Sequence, residues 1–318
     1  MARARVICDN DFAGDPDGLL QLAHHLLSPS VEVRAVLASH LAPEDVFDPT
    51  GHSAEHGRVA ARAVADLAGC PAVPVIAGSE VGVGHEGDEA SPAARAIIAE
   101  ALREDSRPLY VTCGGGLTEI AAAWRAEPRI AQHIAAVVWI GGPEHALPVA
   151  GAGGAAAPPG WHGPEYNTAI DLRAAQMVFD SNLTLWQVPR DAYRQVLVSS
   201  AELETRLRPA GPLGAHLAAE LDRARTLMAH LGQDLGETYD LGDTPLVLLT
   251  ALQSGFQPDT SSSAHVVVPA PRITDEGTYE ARPGGRPIRV YTRLDARLAL
   301  ADLFAKLDLH AARHGVQT

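Results

Sequence analysis

Four aspartates fall within nine residues near the start of the chain, in Asp9-Asn10-Asp11-Phe12-Ala13-Gly14-Asp15-Pro16-Asp17-Gly18, directly after the apolar Val6, Ile7 and Cys8. Carboxylates crowded this closely repel one another, and their pKa values rise unless a cation shares the space. A hard divalent ion with oxygen ligands removes the conflict, so these residue types at this spacing point to a site for such an ion. Turn formation and helix capping are the structural alternatives, and Asp9 is the first of the four to which they apply.

Two other chemistries compete for the same residues. A strand ending in Asp-x-Asp also opens the haloacid-dehalogenase phosphatases, but those need a later basic residue for the phosphoryl group, and the only lysine here is Lys306 near the end of the chain. The run Gly114-Gly115-Gly116 suggests a phosphate cradle, yet no Gly-Lys-Ser/Thr follows it and Glu119 faces an anion unfavourably. Such glycine turns most often simply start helices.

The elements that must position the aspartates follow a repeating pattern of short β-branched strands and amphipathic helices, which predicts an α/β fold with a mainly parallel central sheet flanked by helices. Val6 to Cys8, Val31 to Leu37, Val73 to Ile76, Leu109 to Thr112, Ala135 to Ile140 and Leu183 to Val188 read as strands. Leu19 to Leu27, Ser53 to Ala68, a segment opened by Ser91-Pro92, and Leu117 to Ala126 read as helices, with another capped by Asp171. The strand, glycine turn, helix units put ligand sites at the carboxyl ends of the strands. Pro143 to Pro164 is long for a loop and reads as a lid or an insertion. Ser199 and Glu202 open a helical region reaching about Leu231, broken near Pro209 and Pro212. Asp243 stands just before a buried helix, Leu246 to Leu252. A late pair of strands, Val266 to Val268 and Ile288 to Tyr291, and a terminal helix, Leu294 to His310, complete what reads as one domain over residues 1–318.

Composition bounds the partners. In 318 residues, 46% hydrophobic with 29 Gly and 23 Pro, there is enough apolar material for a large core between many turns. The 25 Lys and Arg against 39 Asp and Glu leave a formal charge of -14, which repels nucleic acid and anionic membranes, so the expected partner is a small molecule. No apolar run approaches the ~20 residues of a membrane span. Cys8, Cys70 and Cys113 have no paired spacing and read as reduced thiols of a cytoplasmic protein.

Several segments, in order, resemble the inosine-uridine type nucleoside hydrolases. The family's opening Asp-x-Asp-Pro-Gly-x-Asp-Asp resembles Asp9 to Gly18 in a longer variant. Its Gly-Gly-Leu-Thr-Asn-Ile-Ala stretch resembles Gly115-Gly116-Leu117-Thr118-Glu119-Ile120-Ala121, and its strand ending in Gly-Gly resembles Val137 to Gly142. Glu165-Tyr166-Asn167, followed by Asp171 and Ala174-Ala175, resembles the family's Glu-Phe-Asn, Asp and helix. Gly242-Asp243-Thr244-Pro245 resembles its His-Asp-Pro.

That resemblance implies a calcium-dependent hydrolase of the N-glycosidic bond of a ribonucleoside or related ribosyl compound. Asp11 becomes both a metal ligand and the base for the attacking water. Asp17, Asp243 and the Gly114 carbonyl complete the ligands, while Asp15, Glu165 and Asn167 bind the sugar. A homo-oligomer, dimer or tetramer, is expected on the same ground. Nearby carboxylates suit an oxocarbenium-like transition state, and a metal lowers the pKa of attacking water. The rival reading is a metal-containing protein or regulator that binds a ribosyl ligand without turnover.

One departure concerns the leaving group. Where many family members have a histidine that helps protonate it, this chain has Gly242. His40, His52, His56, His85, His145 and His162 lie in or near predicted loops, and His85 is the first candidate for the acid, His162 the second.

Overall fold

In the computed structural model, which describes residues 2–84, 90–146, 163–255 and 262–314, the chain forms twelve strands and eleven α-helices among the described residues. The strands are β1 Ala4–Asn10, β2 Val31–Ala38, β3 Val75–Ala77, β4 Leu109–Cys113, β5 Ile134–Ile140, β6 Leu185–Val188, β7 Leu197–Ser199, β8 Thr238–Asp240, β9 Ala264–Pro269, β10 Arg272–Ile273, β11 Tyr279–Glu280 and β12 Pro287–Arg293. The helices are α1 Asp17–Leu26, α2 Ser53–Leu67, α3 Pro92–Ala101, α4 Thr118–Ala126, α5 Tyr166–Ile170, α6 Leu172–Asp180, α7 Arg190–Tyr193, α8 Ser200–Glu202, α9 Gly211–His230, α10 Pro245–Thr250 and α11 Ala296–His314.

Eight strands form one sheet in the order β3-β2-β1-β4-β5-β6-β12-β9, parallel throughout except for the β12–β9 edge pair. The chain leaves β1 to one side for β2 and β3, then crosses to the other for β4, β5 and β6. The carboxyl ends of β1 and β4 therefore flank the topological switch point, the crevice where open α/β sheets place their ligands. The aspartate loop follows β1 there, and the glycine turn follows β4.

Alternation along β1 feeds two cores. Val6 and Cys8 join the layer containing Leu19, Leu22, Leu217, Leu248 and Phe304. Ile7 joins the opposite layer, with Ile97, Ile120 and Val178. All seven residues of β1 are buried, as expected of a central strand covered on both faces. Its backbone is consequently a rigid floor for whatever follows it.

Local chemistry explains the helix starts. Ser91 accepts the Ala94 N–H at 2.9 Å with Pro92 in the first turn of α3, and Asp171 accepts the Ala174 N–H at 2.9 Å to cap α6. Glu165 caps α5 through the Thr168 N–H. The break expected near Pro209 and Pro212 is a π-helical turn, Leu203–Leu207, after which α9 starts afresh with Pro212 in its first turn. The terminal helix runs a turn further than its sequence pattern, and it buries Ala299, Leu303, Phe304 and Leu307. No helix among the described residues is long and apolar enough to cross a membrane.

Candidate active site

Asp11 follows β1 directly and packs against the glycine turn. A Cβ on Gly115 would lie 2.9 Å from the Asp11 carboxyl carbon, and one on Gly114 would lie 2.2 Å from the Asn10 amide nitrogen. Only glycine lets the β4–α4 turn approach β1 this closely. The Gly114 N–H donates to the Asp9 carbonyl at 3.0 Å, and the Gly114 carbonyl accepts from Asn167 Nδ2 at 2.7 Å. Asn167 also reaches the Ile140 carbonyl at 2.8 Å, so one amide joins the ends of β4 and β5.

The two loop aspartates are held differently. Asp15 Oδ1 accepts the Tyr239 hydroxyl at 2.8 Å and the Asp17 N–H at 3.2 Å. Asp17 Oδ2 accepts the Asp243 N–H at 3.0 Å, tying the start of α1 to the turn before α10. Glu165 Oε2 accepts the Gly142 N–H at 2.7 Å and the Thr168 N–H at 3.0 Å, while its Oε1 accepts the Tyr193 hydroxyl at 2.9 Å and keeps room for a further donor.

Asp11, Asp15, Asp17, Gly114, Glu165, Asn167 and Asp243, every residue named from the sequence as ligand or sugar contact, line one cavity of about 450 Å³. That volume suits a small molecule. Burial raises the pKa of Asp11 and Asp17, and the Asp243 charge raises both further. Asp243 is also raised, by burial first, with the Asn10 hydrogen bond opposing the shift. No lysine or arginine among the described residues forms an ion pair with these carboxylates. As they stand, no three His, Cys, Asp or Glu side chains among the described residues are gathered closely enough to hold a metal ion.

Asp9 lies apart. It is buried, both its carboxyl oxygens lack a hydrogen-bond partner, and it does not line the cavity. Burial, then Glu119, raises its pKa, and the neighbouring Ser39 only partly opposes this.

The histidines divide. His40 bonds the Leu41 carbonyl at 2.9 Å and Thr118 at 3.1 Å, His56 bonds Asp48 at 2.6 Å, and His145 packs at a tilt against Tyr279 and bonds Gln187 at 2.8 Å. Burial lowers the pKa of His145. No histidine among the described residues lines the cavity. His85 and His162 lie outside the described residues.

Sequence reasoning missed part of the wall. Phe47, Tyr166, Tyr193, Gln233 and Asp240 also line it, and a Cβ on Gly242 would come within 3.3 Å of the Tyr193 ring. Burial, then repulsion from Asp15, pushes the Asp240 carboxyl up to about 7. Tyr239 and Asp240 arrive on β8, which pairs with β7 across a long stretch of sequence, and no local pattern marks either strand.

Comparison with known proteins bears on the family and the fold. The model of the inosine-uridine preferring nucleoside hydrolase family matches residues 6–281. An inosine-uridine preferring nucleoside hydrolase of Leishmania major is 29% identical over 234 residues, 65% of this chain and 66% of its own length. One of Crithidia fasciculata is 30% identical over 171 residues, 45% of this chain and 50% of its own. The chain thus aligns with just under two thirds of the first relative and half of the second. A purine-preferring ribonucleoside hydrolase from Gardnerella vaginalis, 20% identical, superposes with a TM-score of 0.72 over 96% of this chain and 99% of that one, a likeness of fold. With its family model matched from β1 to β11, the chain belongs to the inosine-uridine preferring nucleoside hydrolases.

Proposed function

We propose that this protein hydrolyses the N-glycosidic bond of a ribonucleoside or a related ribosyl compound and depends on calcium to do so. The observation that carries the reading is the convergence of four carboxylates, Asp11, Asp15, Asp17 and Asp243, on one cavity at the switch point of the sheet. The donor set fits a hard ion, since Asp11, Asp17, Asp243 and the Gly114 carbonyl offer only oxygen. Bound calcium would offset the mutual repulsion of these carboxylates and acidify a water.

Asp11 takes the proton of the attacking water. Asp15, Glu165 and Asn167 hold the ribose hydroxyls, and the surrounding negative charge favours the oxocarbenium-like transition state. The acidic wall also favours a neutral nucleoside over a nucleotide. The enzyme is read as cytoplasmic, in keeping with three free thiols, and as a dimer or tetramer.

A second reading, a ribosyl-ligand binding protein without turnover, draws on the want of a histidine among the described residues of the cavity wall. Incubation with a panel of nucleosides, followed by assay of released reducing sugar, separates the two. Release from at least one compound is expected. Ligand binding without release from any of them overturns the hydrolase reading.

A further inference from the structure

Asn10, between two aspartates of the opening motif, is completely buried and bonds Asp243, which lines the cavity. Its Oδ1 accepts the Asp11 N–H at 2.9 Å. The amide must therefore turn its Nδ2 the other way, where it donates to Asp243 Oδ2 at 2.7 Å and to Gln21 Oε1 at 3.3 Å. With Oε1 used as an acceptor, Gln21 presents Nε2 to His25 Nδ1. That imidazole then carries its proton on Nε2 and donates to Thr250 Oγ1 at 2.9 Å, and the threonine hydroxyl donates onward to the Leu246 carbonyl at 2.6 Å.

Each bond in this chain dictates the direction of the next. Gln21, His25 and Thr250 are all buried, so no water competes for the same atoms at their surface. Burial also keeps His25 neutral by lowering its pKa, as a single Nε2 proton requires. The slot for the asparagine is made by glycine on two sides: a Cβ on Gly18 would lie 2.9 Å from its Nδ2, and one on Gly114 only 2.2 Å from it. A side chain so enclosed, with its donor end aimed at one oxygen of Asp243, leaves the other oxygen of that carboxylate for the cavity.

We propose that Asn10 is the positioning residue of Asp243, its amide orientation imposed by the one-way chain through Gln21, His25 and Thr250. The proposal deepens the reading of Asp243 as a calcium ligand and rests on it. Groups that orient metal ligands from behind are typically worth about 10- to 100-fold in metal affinity or activity.

The test uses substrate-free protein titrated with calcium in a calorimeter, together with kcat and KM on a nucleoside that the wild type cleaves. Asn10→Ser, small enough for the slot, and Asn10→Asp, which replaces the donor with a carboxylate, are both expected to weaken calcium binding and lower kcat by about 10- to 100-fold, with KM nearly unchanged. Gln21→Leu, remote from the cavity, moves both quantities in the same direction by less, and it carries the test if the Asn10 variants fail to fold. Calcium affinity and kcat at wild-type values in Asn10→Ser overturn the proposal, as does a rise in KM with kcat retained, which would make Asn10 a sugar contact. A wild type that binds no calcium, with kcat still lost in Asn10→Ser, overturns the calcium reading and leaves the positioning role standing.

Discussion

Asp15 and Asp17 are two residues apart and are held by different partners. The Asp243 N–H holds Asp17, whereas Asp15 is held by the Tyr239 hydroxyl on β8. Asp17 is therefore grouped with Asp243 and the proposed ion, and Asp15 with the sugar. Asp15→Ala is expected to raise KM with a smaller effect on calcium binding, and Asp17→Ala to weaken calcium binding first; the reverse pattern in calorimetry and steady-state kinetics would exchange the two roles. Asp11→Ala removes ligand and base together, so calcium affinity and kcat should both fall, kcat by roughly 10²- to 10⁴-fold. Protonation of the leaving group has two candidates, His85 from the sequence and Asp240 from the cavity wall, where burial and Asp15 hold its carboxyl near neutrality. Whichever acts, its removal in His85→Ala or Asp240→Asn should slow hydrolysis of a poor leaving group by about 10²-fold or more and spare a nitrophenyl riboside, which departs without a proton. Equal losses on both substrates would assign that residue to binding.

At the scale of elements, α1 links the site to the core and carries a pH dependence of its own. Burial lowers the pKa of His24, with the Asp302 carboxylate at 2.7 Å opposing the shift, and burial lowers His25 further. In the unfolded chain both take up protons near the ordinary 6.5. A histidine kept neutral in the fold contributes its full share above that pH, and the share is lost as pH falls below it, by about 1.4 kcal/mol per pH unit for each proton taken up on unfolding. Asp240 and Asp243, whose pKa values are raised in the fold, act in the opposite sense. Comparison with His25→Gln isolates the imidazole, since glutamine can still accept from Gln21 and donate to Thr250. Denaturant titrations from about pH 7.5 to 5.5 should show the wild type losing stability relative to that variant; parallel curves would mean His25 takes up its proton within the fold. The elements that build the site were legible to different degrees. β1, α1, and β4 with its glycine turn were readable because a buried parallel strand is a continuous apolar run and glycine marks the close approach. β7 and β8 were not, because three residues carry no period and their pairing, Val198 with Tyr239, joins segments far apart in sequence. That is why Tyr239 and Asp240 escaped while Asp11, Asp15, Asp17 and Asp243 did not. Asn10 escaped for another reason: its role depends on Gln21 and Asp243, which only the folded chain brings to it.

For the whole molecule, the net charge of -14 is spread over the surface and concentrated again at the switch point. α11 covers the core, whereas the edge strand β9, with Val267 64% exposed, is free among the described residues to meet a second copy. Light scattering is expected to give a dimer or tetramer, and a monomer at working concentration would refute it. The stronger molecular prediction concerns calcium and the melting temperature. Asp11, Asp17 and Asp243 line one cavity, repel one another and have no ion-paired lysine or arginine among the described residues, so the proposed calcium would be held by the native state and not by the unfolded chain. A ligand that binds only the native state adds about 2.7 kcal/mol of stability at a hundred times its dissociation constant. The Tm should therefore climb with added calcium, fall with a chelator, and respond less to magnesium, which demands tighter octahedral geometry than carboxylates on a loop and a carbonyl on a turn provide. Asp243→Asn should flatten the calcium response while keeping the fold, because an amide replaces the charge at nearly the same volume. A wild-type Tm indifferent to calcium, or metal analysis finding zinc on nitrogen or sulfur, would remove calcium from this site and leave the carboxylates to act on the sugar alone.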